Sequence, residues 1–190
     1  MENLIELDHN LFLYLNNLGS ETWDWMWIGI SDKWMAIPLY ALLLFLLFKK
    51  FGWKYSLATM VCIALLITCT DQMSNVFKDF FMRPRPCRQD GITEFARIVA
   101  ERCGKYGFYS AHASSTFAVA VFLGSVFKKR IPKMIWYLLI WAAIVAYSRV
   151  YLGVHYPGDI LIGALFGILY GYLLYLFQQY LVKRFHLVKK

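Results

Sequence analysis

Five uncharged apolar runs constrain this chain more than any other feature: Trp34–Phe48, Tyr55–Thr70, Ala113–Phe127, Met134–Ser148 and Ile160–Val182. An α-helix rises 1.5 Å per residue, so about 20 residues cross a hydrocarbon core of about 30 Å. Only Ile160–Val182 has that length by itself. The others reach it where end lysines and arginines extend toward the interface, or where polar end residues turn inward. The second is expected to continue as helix to about Phe81. Hydrophobic residues make up 59% of the chain and charged residues 17%, against roughly 45–50% and 25% in soluble domains. That excess excludes disorder, and five such runs leave too little polar surface to cover them in water. The expected fold is an all-α integral membrane protein. It is a bundle of five transmembrane helices, forming a single domain over residues 1–190.

The formal charge of +8 sits in short clusters between the runs, which is a membrane pattern and not a nucleic-acid surface. Lys49, Lys50 and Lys54 flank the first connection. Lys128, Lys129, Arg130 and Lys133 flank the third, and Lys183, Arg184, Lys189 and Lys190 form the tail at 183–190. These clusters alternate along the chain and so fall on one side, the cytoplasm, which places segments 78–110 and 149–159 opposite them. Residues 1–32 contain no Lys or Arg. Leu4, Ile5, Leu7, Leu11, Phe12, Tyr14, Leu15 and Leu18 recur there at near-helical spacing, which reads as an amphipathic helix on the membrane surface, broken at Gly19-Ser20. Glu21 then opens a second short helix, with Trp23, Trp25 and Trp27 in the interfacial aromatic belt. The alternative is a sixth span through this region. The transmembrane bundle proper occupies 33–182.

Polar residues at membrane level cost free energy and point to function. Three clusters collect on the inferred outer side. In Lys78-Asp-Phe-Phe-Met-Arg-Pro-Arg85-Pro86, Pro84 and Pro86 stop the helix, leaving Lys78 near its end and Arg85 just beyond. Two such cations suit a phosphate, Arg bidentately and Lys as a point charge. Tyr109-Ser110-Ala111-His112 opens the third run, where free amide groups and the helix dipole favour an anion and Ser110 suits the N-cap. In Ser148-Arg149-Val-Tyr-Leu-Gly-Val-His155-Tyr-Pro-Gly-Asp159, Pro157 fits the first helical position and Asp159 the first turn. A carboxylate there can orient a histidine nucleophile. The sequence has no DxD, HExxH or Cys/His metal pattern, so neither a metal nor another cofactor is expected. The three clusters together supply cations, a nucleophile and an acid for phosphoryl transfer.

These residues resemble the type-2 phosphatidic acid phosphatase superfamily, whose signature is KxxxxxxRP, PSGH and SRxxxxxHxxxD. Lys78–Pro86 matches the first element and Ser148–Asp159 the third. The middle one matches at Ser110 and His112, with Tyr109 and Ala111 where the family has Pro and Gly. The resemblance implies a membrane lipid phosphatase. In it His155 forms a phosphohistidine, Asp159 orients His155 and His112 protonates the leaving oxygen. Lys78, Arg85 and Arg149 bind the phosphoryl group with Ser110 and the backbone at Ala111. It further implies a bacterial inner membrane, a site facing the periplasm, a cytoplasmic C-terminus, and a phosphorylated lipid as partner without an obligate protein partner. Undecaprenyl diphosphate is the first expectation for substrate. A lipid A 1- or 4'-phosphate is second, with phosphatidylglycerol phosphate and phosphatidate behind. The reading from a different class is a non-catalytic lipid-binding membrane protein.

Two expectations concern the outer loop. Cys87 and Cys103 bracket part of it and are expected to pair if it faces an oxidising compartment, whereas Cys62 and Cys69 lie inside the second run. Lys78, Arg83, Arg85, Arg88, Arg97, Arg102 and Lys105 give the loop seven positive charges. Some of the five beyond Lys78 and Arg85 are expected to hold a second anionic part of the headgroup.

Overall fold

The computed structural model describes residues 2–186. Seven α-helices follow one another: α1 (Glu2–Asn17), α2 (Glu21–Ser31), α3 (Ile37–Phe51), α4 (Trp53–Phe81), α5 (Ala111–Phe127), α6 (Met134–Tyr151) and α7 (Pro157–Arg184). A 3₁₀ turn, Lys33–Ala36, leads into α3. No strand occurs among the described residues, only an isolated bridge between Pro84 and Tyr106. Gly52, at φ 78°, separates α3 from α4 in a backbone region that glycine enters freely. Met82 takes a left-handed conformation at the end of α4, and Pro84 follows. The chain therefore turns out of the helix where the proline pair predicts.

Four helices are long and apolar enough to cross a membrane: Lys33–Phe51, Trp53–Phe81, Met134–Tyr151 and Pro157–Arg184. The 17-residue α5 is shorter and lies at the centre, packed by α4, α6 and α7 with most of its side chains buried. Its Ser114 and Thr116 are thereby shielded from lipid. The chain is a multi-pass membrane protein. With 16 and 11 residues, α1 and α2 fall short of a span.

The tightest packing joins α5 to α7. Gly163, Gly167 and Gly171 are buried along one face of α7. A Cβ on any of them would collide with the carbonyl of Ser110, Ser114 or Ala118 respectively, so the two backbones touch. Small residues four apart allow helices to approach this closely where lipid supplies no hydrophobic drive between them. The period is present in the sequence, where length and absence of charge alone defined the span.

At one end of the bundle Phe51 stacks on Tyr55 and meets Phe127 edge-on, and the Gln179 amide donates to the Tyr55 hydroxyl at 3.4 Å. The three basic clusters flank this end; Lys189 and Lys190 lie outside the described residues. The opposite end carries α1, α2, the long connection 82–110 and the short one 152–156. On α1, Leu4, Leu7, Leu11 and Tyr14 are exposed in a stripe that Leu18 continues just past its end, as an interfacial helix requires. The other face docks onto the protein. Phe12 is buried against Tyr156. The Asn16 amide donates to the carbonyls of Arg97, Val150 and Tyr151, each at 3.0 Å. Trp23 and Trp25 are exposed, in keeping with an aromatic belt. Trp27 departs from that expectation and packs inward on Tyr147 and Tyr151.

Replacing Gly167 by Val should destabilise the bundle by about 1–3 kcal/mol, the usual cost of overpacking. The same change at lipid-facing Leu165, 63% exposed, should be near neutral. Thermal unfolding in detergent, comparing Gly167→Val with Leu165→Val, checks the difference.

Candidate active site

The three clusters converge where α4 and α6 end and α5 and α7 begin. Ser110 caps α5, its hydroxyl accepting from the Ala113 amide at 3.4 Å. That leaves the earlier amides, Ala111 and His112, ahead of the first intrahelical bond. Pro157 sits at the first position of α7, and the Ser110 amide donates to the Asp159 carbonyl at 3.1 Å, joining the two helix starts. Tyr109, standing where the signature has proline, stacks on Phe166 and meets Phe77 edge-on, filling the space between α4 and α7.

His155 and Asp159 are buried, at 2% and 0% exposure, with Nδ1 and Oδ2 3.3 Å apart. The same Oδ2 accepts the Tyr156 amide at 3.1 Å. An Nδ1–H donated to this carboxylate fixes the tautomer and leaves Nε2 with a free lone pair. Burial lowers the pKa of His155 to about 4; Asp159 opposes this, and the Arg85 and Arg149 charges reinforce it. The imidazole is therefore neutral near pH 7, as a nucleophile must be. Gly107 passes alongside: a Cβ there would lie 3.1 Å from Asp159 Oδ2 and 3.6 Å from His155 Nδ1. A side chain there would crowd the pair and the Arg85 stem, also 3.1 Å from that Cβ.

The basic side chains divide into two sets. Arg83 pairs with Asp8 at 2.7 Å and Asp159 at 2.9 Å, and Arg97 with Asp24 at 3.0 Å. Among the described residues, Lys78, Arg85 and Arg149 form no ion pair. Lys78 Nζ donates to Ser74 Oγ at 3.1 Å and Arg85 Nε to the Tyr106 carbonyl at 2.9 Å. Arg149 donates to Ser31 Oγ, while its buried Nε has no partner among the described residues. All three repel one another. Half-buried cations held together without counter-charge are costly unless an anion joins them. Such a cluster can receive one.

Beside it, a cavity of about 190 Å³ opens at His112, with Ser31, Asp32, Lys33, Asp71, Ser115 and Thr116 on its polar side and Tyr40, Ile67 and Trp141 on its apolar side. Tyr40 and Ile67 also line an apolar groove of about 210 Å³ running between α3, α4 and α5. Polarity thus grades from the cation cluster into the bilayer region, matching an amphipathic ligand.

Not all the loop cations are free for a second anionic group. Arg83 and Arg97 are consumed in the ion pairs above, and Arg88 donates to the Cys103 carbonyl at 3.2 Å. The loop's charge partly serves its own folding. Cys87 pairs with Cys103, their Cα atoms 6.5 Å apart, while Cys62 and Cys69 are free. Sequence reasoning missed Ser31, Gly107 and Asp8, and it counted Arg83 only among the loop cations. The doubled Arg-Pro was the one available signal, since the partners of Arg83 lie 75 and 76 positions away. Among the described residues no group of three or more His, Cys, Asp or Glu is placed to hold a metal ion.

The PAP2 superfamily model matches residues 52–183. A lipid A 4'-phosphatase of Bacteroides thetaiotaomicron is 38% identical over 97% of this chain and 82% of its own length. A lipid A 4'-phosphatase of Porphyromonas gingivalis is 34% identical over 92% of this chain and 74% of its own. The crystal structure of a transmembrane PAP2-type phosphatidylglycerolphosphate phosphatase from Bacillus subtilis shares the fold. Its TM-score is 0.73 at 21% identity, covering 94% of this chain and 88% of that one.

Two measurements follow from the site. His155 should titrate near pH 4 in the folded protein and near its ordinary 6.5 when unfolded. Between those values only the unfolded chain binds the proton, so stability from this group is full above pH 6.5 and falls as pH drops toward 4. The difference in thermal midpoint between wild type and His155→Gln should therefore shift against wild type from pH 7 to 4.5. For the cysteine pair, alkylation of the unfolded, unreduced protein should label two cysteines and spare two. Reduction should cost roughly 3 kcal/mol by loss of the loop constraint.

Proposed function

We propose that this chain, which belongs to the PAP2 superfamily and is a membrane phosphatase acting on a phosphorylated lipid, removes the 4'-phosphate of lipid A. What carries the reading is the cluster of Lys78, Arg85 and Arg149, without carboxylate partners, around a His155–Asp159 pair that faces His112 across adjoining helix starts. The near full-length similarity to two lipid A 4'-phosphatases favours that substrate over undecaprenyl diphosphate, which the sequence alone placed first. The cavity agrees. Asp32 and Asp71 beside His112, with Lys33 as the one cation in the same lining, suit the hydroxyl and amide donors of a sugar and disfavour the phosphate leaving group of a diphosphate lipid.

In this mechanism His155 Nε2 attacks the phosphorus while Nδ1–H stays on Asp159. The three cations and the Ala111 and His112 amides take up the charge on the equatorial oxygens. The P–O bond to the sugar breaks, and His112 donates its proton to the departing oxygen. His112 then accepts a proton from water, which attacks the phosphohistidine. Phosphate leaves and His155 is restored. On this reading, residues 33–182 form the catalytic bundle in a bacterial inner membrane. The basic end and the C-terminus face the cytoplasm and the site faces outward, following the positive-inside rule.

The purified protein should release phosphate from lipid A, with mass spectrometry locating the loss at the 4' position, and should act more slowly on undecaprenyl diphosphate. The reverse preference would reject the substrate assignment. His155→Ala should abolish turnover. His112→Ala should lose about 10²–10⁴-fold with lipid A but retain most of the phosphoenzyme formation from p-nitrophenyl phosphate, whose leaving group needs no acid. Asp71→Asn should narrow the gap between lipid A and undecaprenyl diphosphate.

A further inference from the structure

We propose that Asp8 of α1 is a positioning residue of the active site, holding through Arg83 the carboxylate that orients His155. The inference rests on the reading of His155 as nucleophile. Asp8 Oδ2 accepts from Arg83 at 2.7 Å, and Arg83 donates to Asp159 Oδ1 at 2.9 Å. Asp159 then keeps Oδ2 for His155 and the Tyr156 amide. Four side chains from three separate parts of the chain thus form one line, with charges alternating minus, plus, minus up to the imidazole.

Asp8 also touches the catalytic segment directly. Its Oδ1 accepts the Gly158 amide at 2.7 Å, a first-turn donor that α7 cannot satisfy internally, at a helix end that favours negative charge. A Cβ on residue 158 would lie 2.8 Å from Asp8 Oδ2, so glycine there is what admits the carboxylate. The Arg83 guanidinium lies 4.1 Å from the centre of the Tyr156 ring, and His9 stacks on the same ring at 4.8 Å. Arg83 is thereby held from three directions. A rigidly held Arg83 presents Asp159 in one rotamer; freed of Asp8, its whole charge falls on Asp159 and competes with the imidazole for that carboxylate.

A role in docking α1 alone does not account for this arrangement. Phe12 and Asn16 already anchor the helix one and two turns further along. The comparable pair of Arg97 with Asp24 docks α2 without contact to His155 or Asp159.

The test uses the full chain in lipid-supplemented detergent, with lipid A as substrate and thermal unfolding measured in parallel. Asp8→Asn keeps the shape and loses the charge. It should lower kcat about tenfold with KM within about twofold, as expected when a reacting group is displaced by a fraction of an ångström. Arg83→Gln should fall further, and the double variant should be no worse than Arg83→Gln alone, since both act along one line. Asp8→Glu should recover part of the loss. Asp24→Asn should lower the unfolding temperature yet keep kcat within about twofold. An unchanged kcat in Asp8→Asn overturns the proposal. So do independent, multiplicative losses in the double variant, or an equal kcat loss in Asp24→Asn. Full activity in His155→Ala would instead remove the underlying mechanism, a result distinct from any of these.

Discussion

The contact of α7 with α5, backbone against backbone, sets the geometry on which the rest of the molecule depends. Three glycines at four-residue spacing let α7 lie directly on the carbonyls of Ser110, Ser114 and Ala118. The same face continues upward to the start of both helices, where the Ser110 amide bonds to the Asp159 carbonyl. The helix that carries His112 and the helix that follows His155 are therefore registered by main-chain contact, with no side chain between them to flex. On the mechanism proposed above, which places two imidazoles on opposite sides of one phosphorus, such a fixed separation is an advantage. Packing deep in the membrane and chemistry at its surface share one constraint.

Charge is organised around that frame by a division of labour. Arg83 and Arg97 are neutralised by carboxylates on α1 and α2 and hold the connections in place. Lys78, Arg85 and Arg149 are denied such partners, and Ser31 at the end of α2 holds Arg149 without cancelling its charge. The two N-terminal helices thus do more than rest on the bilayer. Their inward faces supply Asp8, Asn16, Asp24 and Ser31 to the connections above the site.

The spans were legible because hydropathy and length are local properties, and α4 even ended at the predicted Phe81 before the proline pair. The candidate site residues could be picked out because phosphoryl chemistry would demand particular side chains at helix ends, and the structure brings the ends that carry them together. What escaped were the partners joined across distance. Asp8 meets Arg83 over 75 positions and Ser31 meets Arg149 over 118, and no periodicity encodes such pairs. The basic loop was over-read for the same reason: counted along the chain, Arg83 and Arg97 look free, whereas in space each has a carboxylate. Trp27 looked like its neighbours until Tyr147 and Tyr151 gave it a pocket.

The shared lining of the polar cavity and the apolar groove, Tyr40 and Ile67, has a kinetic meaning. A lipid seated there keeps its chains at bilayer depth throughout, so substrate arrives and dephosphorylated product departs by lateral diffusion in two dimensions. The liberated phosphate leaves the opposite way, into water. For such an enzyme the quantity that governs saturation is the mole fraction of substrate among membrane lipids, not its concentration in the surrounding volume. Diluting the sample changes nothing, while diluting the membrane with inert lipid slows every turnover.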